Sequence, residues 1–235
     1  MTLTVAILAG GLATRLRPIT KTIPKALVNV AGLPFISRQL NYLRLQGIKR
    51  VVLCTGYLGE MIENLVGDGS AFGVEVVYSP DGATLLGTGG AIRQALPLLG
   101  DSFFLLYGDS YLPIDFSAVE AAFVESGKPG LMTVLNNGDR WDKSNVLFHD
   151  GQLAEYNKKT PSPEMRYIDY GLGVLQASAF ANYKAGEIFD LANLYHKLSV
   201  QNELAGYEVH ERFYEIGSHS GLKEAENYFY ERNPS

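Results

Sequence analysis

The 235-residue chain has very little cysteine, which limits both its chemistry and its cellular setting. Its one cysteine, Cys54, excludes a disulfide within the chain and favours a reducing, cytoplasmic compartment. Because Cys54 lies in the apolar run VVLC, we expect it to be a buried strand residue rather than a reactive thiol. The four histidines lack the mutual spacing of a metal site, so each is expected to be a surface or capping residue.

Long hydrophobic runs are also lacking. The N-terminal sequence MTLTVAILAGG has no basic residue ahead of its apolar run, and that run is shorter than the roughly 20 residues of a membrane span. We therefore expect a soluble, cytoplasmic protein with no membrane partner. With 46% hydrophobic residues the chain can bury one substantial core, which predicts a single domain over 1–235.

Acidic residues are missing from the first 59 positions, although the net charge of the chain is −5. That segment holds eight of the 20 basic residues, and the stretch LAGGLATRLRPITKTIPKAL carries four of them: Arg15, Arg17, Lys21 and Lys25. A net negative charge argues against broad nucleic-acid binding, so no nucleic-acid partner is expected. A local positive field in an acidic protein indicates a small anionic ligand instead.

Short β-rich runs alternate with helical patterns in the first half of the chain. The pattern predicts strands at 3–8, 51–55, 74–78 and 103–107, and helices at 35–46, 60–66 and 90–99. Such alternation is typical of a largely parallel sheet with helices on both faces. The second half predicts helices at 117–126, 191–204 and 221–230, strands at 131–135, 172–175 and 212–216, and a hairpin over 145–156 that turns at Asp150-Gly151. We therefore expect a mixed α/β sheet with a small antiparallel accessory lobe.

Ligands of an open parallel sheet bind beyond the carboxyl ends of its strands, so residues that follow predicted strands are the first candidates. Three segments meet this condition: Gly10-Gly11, Gly108-Asp109 and Glu215-Ile216-Gly217. A glycine pair brings backbone N–H groups close to a bound group, and nearby arginine and lysine bind phosphate oxygens. A tight turn beside a solvated basic face explains the same composition. The GxxxxGK[ST] and GxGxxG phosphate loops are both absent.

A larger pattern resembles the signature of the sugar-1-phosphate nucleotidyltransferases. It begins with Gly10-Gly11-x-x-Thr14-Arg15-Leu16-x-Pro18, followed by Pro24-Lys25. It continues in Gly32-x-Pro34, Thr55-Gly56-Tyr57-Leu58, Leu86-Gly87-Thr88-Gly89-Gly90-Ala91 and Gly108-Asp109. The compact members that act on mannose, heptose or N-acetylmuramic acid 1-phosphate are the most similar in size.

The resemblance implies a three-layer, Rossmann-like α/β fold with a mixed, mostly parallel central sheet. Residues 1–135 would form the nucleotide-binding half and residues 136–235 the sugar-phosphate-binding half. The implied activity moves a nucleotidyl group from a nucleoside triphosphate, with GTP or UTP favoured, to a sugar 1-phosphate and releases pyrophosphate. Two alternatives stay open: a non-catalytic module that binds nucleotide-sugars, and a cytidylyltransferase for a phosphorylated non-sugar alcohol. The oligomeric state is also open, and a homo-oligomer is one option.

The resemblance also assigns roles to individual residues. The catalytic candidates are Arg15, Lys25 and Asp109, and the nucleotide-binding candidates are Leu8, Gly10, Gly11, Thr14, Gly87, Thr88 and Gly89. The implied cofactor is Mg²⁺, held by Asp109 and by Glu215, where the family usually carries Asp. The sugar phosphate would contact Lys158, with Lys159 as a rival, together with Asp169 and Gly171. No side chain between Tyr78 and Leu86 identifies the nucleobase.

Overall fold

The computed structural model describes residues 3–232, so the outermost residues of the predicted 1–235 domain lie outside the described range. Within that range the strands are β1 (Thr4–Leu8), β2 (Asn29–Val30), β3 (Leu33–Pro34), β4 (Arg50–Thr55), β5 (Glu75–Pro80), β6 (Ser102–Tyr107), β7 (Ser110–Tyr111), β8 (Gly130–Asn136), β9 (Val146–His149), β10 (Gln152–Tyr156), β11 (Tyr167–Gln176), β12 (Leu204–Val209) and β13 (Tyr214–Glu215). The α-helices are α1 (Phe35–Leu45), α2 (Gly59–Val66), α3 (Gly87–Leu99), α4 (Phe116–Ser126), α5 (Leu191–Val200) and α6 (His219–Arg232).

The main sheet joins a parallel part and an antiparallel part. Its strand order is β10-β9-β11-β6-β1-β4-β5, and β8 connects β11 to β12. The strands β6, β1, β4 and β5 are all parallel to one another, whereas β11 runs antiparallel to both β6 and β8. Two short antiparallel pairs, β2–β3 and β7–β13, lie outside this sheet. The predicted mixed sheet is confirmed, and its antiparallel part is continuous with the parallel part.

Different helices cover the two faces of the sheet. In β1, Val5 and Ile7 join one buried cluster with α1, α2 and α4, while Ala6 joins another cluster with α3 and α5. Because successive side chains of a strand point to opposite faces, one continuous apolar run supplies both layers. Cys54 follows the same rule on β4: it is 1% exposed and belongs to the cluster under α3. The three-layer arrangement is confirmed.

The C-terminal third differs from the sequence-based prediction at two places. The helix expected over 191–204 ends at Val200, and residues 204–209 form β12, a strand that pairs in parallel with β8. Asn202 adopts a left-handed backbone with φ of 57°, which ends the helical path. The predicted strand over 212–216 is reduced to the two residues of β13. The predicted hairpin is confirmed, since Asp150 and Gly151 both have positive φ, as its turn type requires.

None of the helices in residues 3–232 has the length and apolar character needed to cross a bilayer.

Candidate active site

A cavity of about 260 Å³ opens where the strand order reverses. From β1 the chain proceeds to β4 and β5 on one side of β1, and it then returns to β6 on the other side. Open α/β sheets bind their ligands in the crevice at such a switch point. Seven residues predicted for the site line this cavity: Leu8, Gly10, Gly11, Lys25, Gly87, Thr88 and Asp109.

The two glycines after β1 have different structural roles. The Gly10 carbonyl accepts a hydrogen bond from the Tyr57 N–H at 3.1 Å, and a Cβ on Gly10 would lie 3.1 Å from the Gly56 nitrogen. Close contact with the loop after β4 therefore accounts for Gly10. A Cβ on Gly11 would meet no protein atom within 4 Å. Gly11 lines the cavity, so the lack of a side chain there widens the space open to a ligand and serves no contact within the protein.

Buried anchors hold the basic segment in place beyond the glycines. Arg15 lies in the 3₁₀ turn Thr14–Leu16, in which Leu16 is fully buried. The buried Thr20 hydroxyl donates to the Ala13 carbonyl at 2.7 Å and ties the segment back to the start of this turn. Lys25 begins a second turn, Lys25–Leu27, whose middle residue is also buried. The two cations are therefore presented by well-anchored backbone.

Arg15, Asp109 and Glu215 converge on the backbone at Gly217. A Cβ on Gly217 would lie 3.1 Å from Arg15 Nη2, 3.4 Å from Glu215 Oε1 and 3.6 Å from Asp109 Oδ2. The pairing of β7 with β13 sets Glu215 opposite Ser110, the residue after Asp109. In addition, the Ile216 N–H donates to the Asp109 carbonyl at 2.9 Å. Backbone pairing thus brings together Asp109 and Glu215, which are far apart in sequence, and the Arg15 side chain reaches the same place from the segment after β1.

Lys25 completes this group of charges. Its Nζ lies 2.7 Å from Asp109 Oδ2, and about a quarter or less of each side chain is exposed. Burial raises the pKa of Glu215, the nearby Asp109 carboxylate raises it further, and Arg15 and Lys25 oppose these effects. Two cations and two carboxylates therefore form one coupled electrostatic cluster at the cavity.

The carboxylate pair fits a magnesium ion that arrives with phosphate. Mg²⁺ in nucleotide enzymes is held by one or two carboxylates, several waters and substrate phosphate oxygens. Asp109 and Glu215 supply the two carboxylates. Within residues 3–232 no group of three or more His, Cys, Asp or Glu side chains is placed to hold a metal. An ion at this site would therefore depend on the oxygens of the nucleotide.

Two of the nucleotide-binding candidates lie outside the set of residues that line the cavity. Thr14 is exposed at the start of its turn. Gly89 packs on the loop before α5, where a Cβ would lie within van der Waals overlap of the Phe189 ring. The Thr88 hydroxyl also reaches this loop, since it donates to Asp190 Oδ1 at 3.0 Å and accepts from the Leu191 N–H at 2.9 Å. Part of the LGTGG segment therefore packs against the loop before α5 and the first residue of that helix.

The sugar-phosphate candidates lie next to the cavity rather than in its lining. Tyr107, at the end of β6, lines the cavity, and its hydroxyl interacts with the Asp169 carboxylate. Gly171 has φ of +106° where the register of β11 shifts, and its N–H donates to Asp169 Oδ1 at 3.0 Å. A Cβ on Gly171 would contact the Tyr107 ring at 3.6 Å. Lys158 is exposed and close enough to Asp169 to lower its pKa, and Lys159 is exposed as well.

Burial raises the pKa of the Asp169 carboxyl from 3.8 to about 6, although the Gly171 N–H, Lys158 and Tyr107 oppose the rise. Since the folded state holds this proton more tightly, the stabilising contribution is complete below pH 3.8 and is lost as the pH rises through about 6. Asp169→Asn is therefore expected to increase the free energy of unfolding at pH 8 by about 2 to 3 kcal/mol. The corresponding rise in Tm is roughly 4–12 °C for a chain of this size.

Melting temperatures measured at pH 8 and at pH 4 test this expectation. The gain should be present at pH 8 and nearly absent at pH 4, where the wild-type carboxyl is protonated. Asp101→Asn, which changes an exposed carboxylate, should leave Tm unaltered at both pH values. Equal stability of Asp169→Asn and the wild type at pH 8 would contradict the presence of a destabilising buried negative charge on Asp169.

Sequence reasoning missed one acidic side chain of the cavity, Asp81. Sequence analysis selects no residue between Tyr78 and Leu86, yet Asp81 lies just after β5 and lines the cavity. Its position after a predicted strand and before the LGTGG segment was the available signal.

Comparison with known proteins identifies the family. The sequence model described as nucleotidyl transferase matches residues 4–144. The N-acetylmuramate alpha-1-phosphate uridylyltransferase of Neisseria meningitidis serogroup B is 35% identical over 94% of this chain and 95% of its own length. The D-glycero-alpha-D-manno-heptose 1-phosphate guanylyltransferase of Campylobacter jejuni is 36% identical over 78% of this chain and 80% of its own.

Solved structures agree with these relatives. HddC from Yersinia pseudotuberculosis, solved in complex with GMP-PN, has a TM-score of 0.78 and 25% identity, and the match covers 97% of this chain and all of HddC. A Bacillus anthracis structure titled as a glucose-1-phosphate thymidylyltransferase has a TM-score of 0.85 at 21% identity, with 96% of this chain and 94% of that chain covered, and it supports the fold alone. By sequence, fold and placement of the cavity, this chain belongs to the nucleotidyl transferase family.

Proposed function

We propose that this chain transfers a nucleotidyl group from a nucleoside triphosphate to a sugar 1-phosphate and releases pyrophosphate. The convergence of Arg15, Asp109 and Glu215 on Gly217, beside a cavity at the switch point of the sheet, carries the proposal. The relatives named above are uridylyl- and guanylyltransferases of sugar 1-phosphates, which supports the same reaction class and leaves GTP and UTP as the favoured donors.

The chemistry requires positioning and charge neutralisation more than proton transfer. A sugar-phosphate oxygen is already anionic at neutral pH, so it can attack the α-phosphorus in line without a general base. We assign to Arg15 the stabilisation of the charge that develops on the leaving pyrophosphate. We assign to Lys25 the offsetting of the repulsion between the two polyanionic substrates. Mg²⁺ held by Asp109 and Glu215 would supply Lewis-acid stabilisation of phosphate oxygens.

In this proposal each half of the chain binds one of the two substrates. Residues 1–135 supply the cavity lining, and we assign the nucleotide to them. Residues 136–235 supply Lys158, Asp169 and Gly171, and we assign the sugar phosphate to that side, with Asp169 accepting hydrogen bonds from sugar hydroxyls. We place the reaction in the cytoplasm, where nucleoside triphosphates are available and the free thiol of Cys54 stays reduced.

A pyrophosphate-release assay tests the function. The protein is mixed with Mg²⁺, each of GTP, UTP, CTP and dTTP, and each of N-acetylmuramate, heptose, mannose and glucose 1-phosphates. Release that needs both a triphosphate and a sugar 1-phosphate is the expected result. Release only with phosphocholine and CTP would instead identify an alcohol cytidylyltransferase, and tight nucleotide-sugar binding with no release under any condition would identify a binding module.

Gly11→Ala separates a ligand effect from a folding effect. A Cβ at Gly11 meets no protein atom within 4 Å, so Tm should stay within about 1 °C of the wild type. The methyl group would, however, occupy space that we assign to the triphosphate, so the Kd for the nucleotide should rise by about 10-fold or more. Calorimetric titration with a triphosphate measures this change.

Gly108→Ala is the matched contrast, because a Cβ there would lie 2.5 Å from the Leu8 carbonyl oxygen. That variant should lose stability. Unchanged nucleotide affinity in a folded Gly11→Ala variant would place the phosphates elsewhere.

A further inference from the structure

The turn that carries Asp109 is short and joins two strands. β6 ends at Tyr107 and β7 begins at Ser110, so only Gly108 and Asp109 lie between the strands. The direction of the Asp109 carboxylate therefore depends on the backbone of these four residues. Helix α1, which packs on one face of the main sheet, reaches this turn through one polar side chain, Gln39.

The amide of Gln39 bridges the two ends of the turn. Its Nε2 lies 3.1 Å from the Tyr107 carbonyl oxygen and 2.9 Å from the Ser110 carbonyl oxygen. A backbone carbonyl only accepts hydrogen bonds, so the amide must present its NH₂ group to this pair, with one N–H for each oxygen. One side chain of α1 thus fixes the residue before Gly108 and the residue after Asp109.

The burial of Gln39 shows that its amide is not a surface feature. The side chain is 2% exposed, and the buried residues near it on α1 include Ile36, Leu40 and Leu43. Its Oε1 is buried and has no hydrogen-bond partner within residues 3–232. A buried amide with one unsatisfied end is less favourable than an aliphatic side chain in an apolar layer. The two carbonyls of the turn are what this position gains in return.

Other contacts hold the middle of the turn but not its ends. The Gly108 N–H donates to the Leu8 carbonyl at 3.0 Å, and the Asp109 carbonyl accepts from the Ile216 N–H at 2.9 Å. These bonds fix the peptide groups on either side of the Asp109 Cα. If the two donors of Gln39 were removed, the carbonyls at both ends would rotate toward other donors, and the Asp109 side chain would move with them.

We propose that Gln39 is a positioning residue that sets the direction of the Asp109 carboxylate toward the metal. Gln39 lies outside the set of residues that line the cavity, so it acts through the backbone of the turn. The inference rests on the proposed function, in which Asp109 and Glu215 hold Mg²⁺. This ion demands near-ideal octahedral geometry, so a small displacement of one carboxylate weakens its binding.

Gln39→Met tests the proposal, because methionine has a similar length and no donor. Mn²⁺ is titrated in the presence of UTP and, separately, of GTP, and is followed by electron paramagnetic resonance. Its affinity should fall by about 10- to 100-fold, the usual effect of removing a group that orients a metal ligand. The Mg²⁺ concentration that gives half-maximal turnover should rise by a similar factor. Wild-type Mn²⁺ affinity in the folded variant would overturn the proposal.

Gln46→Met is the matched control at the end of the same helix. Gln46 Oε1 accepts from the Phe116 N–H at 3.1 Å, so this variant also removes a bond between an amide side chain and the backbone, away from the cavity. Both variants should have a lower Tm, but only Gln39→Met should bind Mn²⁺ more weakly. Equal weakening in the two variants would mean that general loosening of α1 is responsible, which contradicts a specific role of Gln39.

A second variant keeps the test decisive if Gln39→Met does not fold. Gln39→Asn retains the amide on a stem that is one methylene shorter, so its NH₂ group cannot span both carbonyls, and Mn²⁺ affinity should again fall by about 10-fold. Unchanged affinity in this variant would overturn the proposal as well. Absence of pyrophosphate release by the wild type with every substrate pair would defeat the proposed function, whereas an active wild type with unaltered Mn²⁺ binding in the Gln39 variants would defeat only the positioning role.

Discussion

Arg15→Ala is expected to lower turnover by about two to three orders of magnitude, the usual effect of removing one preorganised donor from a developing anion. The side chain is exposed, and its Nη2 reaches within 3.1 Å of the Cβ position of Gly217, next to both carboxylates. Its loss leaves the buried anchor Leu16 in place, so the fold should not change. Because the proposed function has the guanidinium act on the leaving pyrophosphate, kcat should fall far more than KM rises.

Arg17→Ala is the matched control. It lies two residues away in the same basic segment, it is also exposed, and the described part of the chain shows no contact of its side chain with the carboxylates. Its turnover should stay within about threefold of the wild type, apart from a small loss of long-range attraction at low salt. If both variants lost activity equally, the general positive field of the segment, and not the placement of Arg15, would explain the effect.

The contrast between Arg15 and Glu215 shows which parts of the site a sequence can predict. The glycine loop, Arg15 and Lys25 follow one strand within a short segment, so their proximity follows from the chain itself. Glu215 reaches Asp109 only through the pairing of β7 with β13, two strands of two residues each. Such short pairs carry no periodic pattern, and the resemblance to a family was the signal that pointed to Glu215.

Asp81 and Gly89 are two residues whose contacts could not be predicted from the sequence. A single polar residue in a turn is a common feature of turns, so no local pattern indicates that Asp81 Oδ1 is buried with no hydrogen-bond partner among the described residues. Gly89 lies in the predicted binding motif, but its close contact is the ring of Phe189, a hundred positions later in the chain. Contacts between distant segments decide both cases, and local patterns do not encode them.

The fold was easier to predict than the site because local patterns encode its strands and helices, whereas contacts between distant segments build the site. The buried parallel strands β1, β4 and β6 are continuous apolar runs that only a core can accommodate, so periodicity identifies them. The strand β12 was missed because its pattern, buried only at Leu204 and Val209, follows a helix without an intervening glycine or proline. Asn202 ends that helix, and asparagine is a weaker stop signal than glycine.

Asp109→Asn is expected to reduce Mg²⁺-dependent turnover by about three orders of magnitude or more. The substitution removes one of two carboxylates at a site that otherwise depends on substrate oxygens, and a metal contributes several kcal/mol of charge stabilisation in phosphoryl chemistry. It also removes the partner of Lys25, which lies 2.7 Å from Asp109 Oδ2. Titration of Mn²⁺ in the presence of the nucleotide, followed by electron paramagnetic resonance, should show at least 10-fold weaker binding.

Lys25→Met separates the role of Asp109 as a metal ligand from its role as the ion-pair partner of Lys25. It removes the ion pair and keeps both carboxylates, so Mn²⁺ binding with the nucleotide should persist while turnover falls through loss of the proposed phosphate contact. Asp115→Asn is unsuitable as a control because its carboxylate caps α4, whereas Asp101→Asn changes an exposed carboxylate and should retain turnover and metal binding. Full turnover and an unaltered Mn²⁺ titration in Asp109→Asn would remove Asp109 from the metal site.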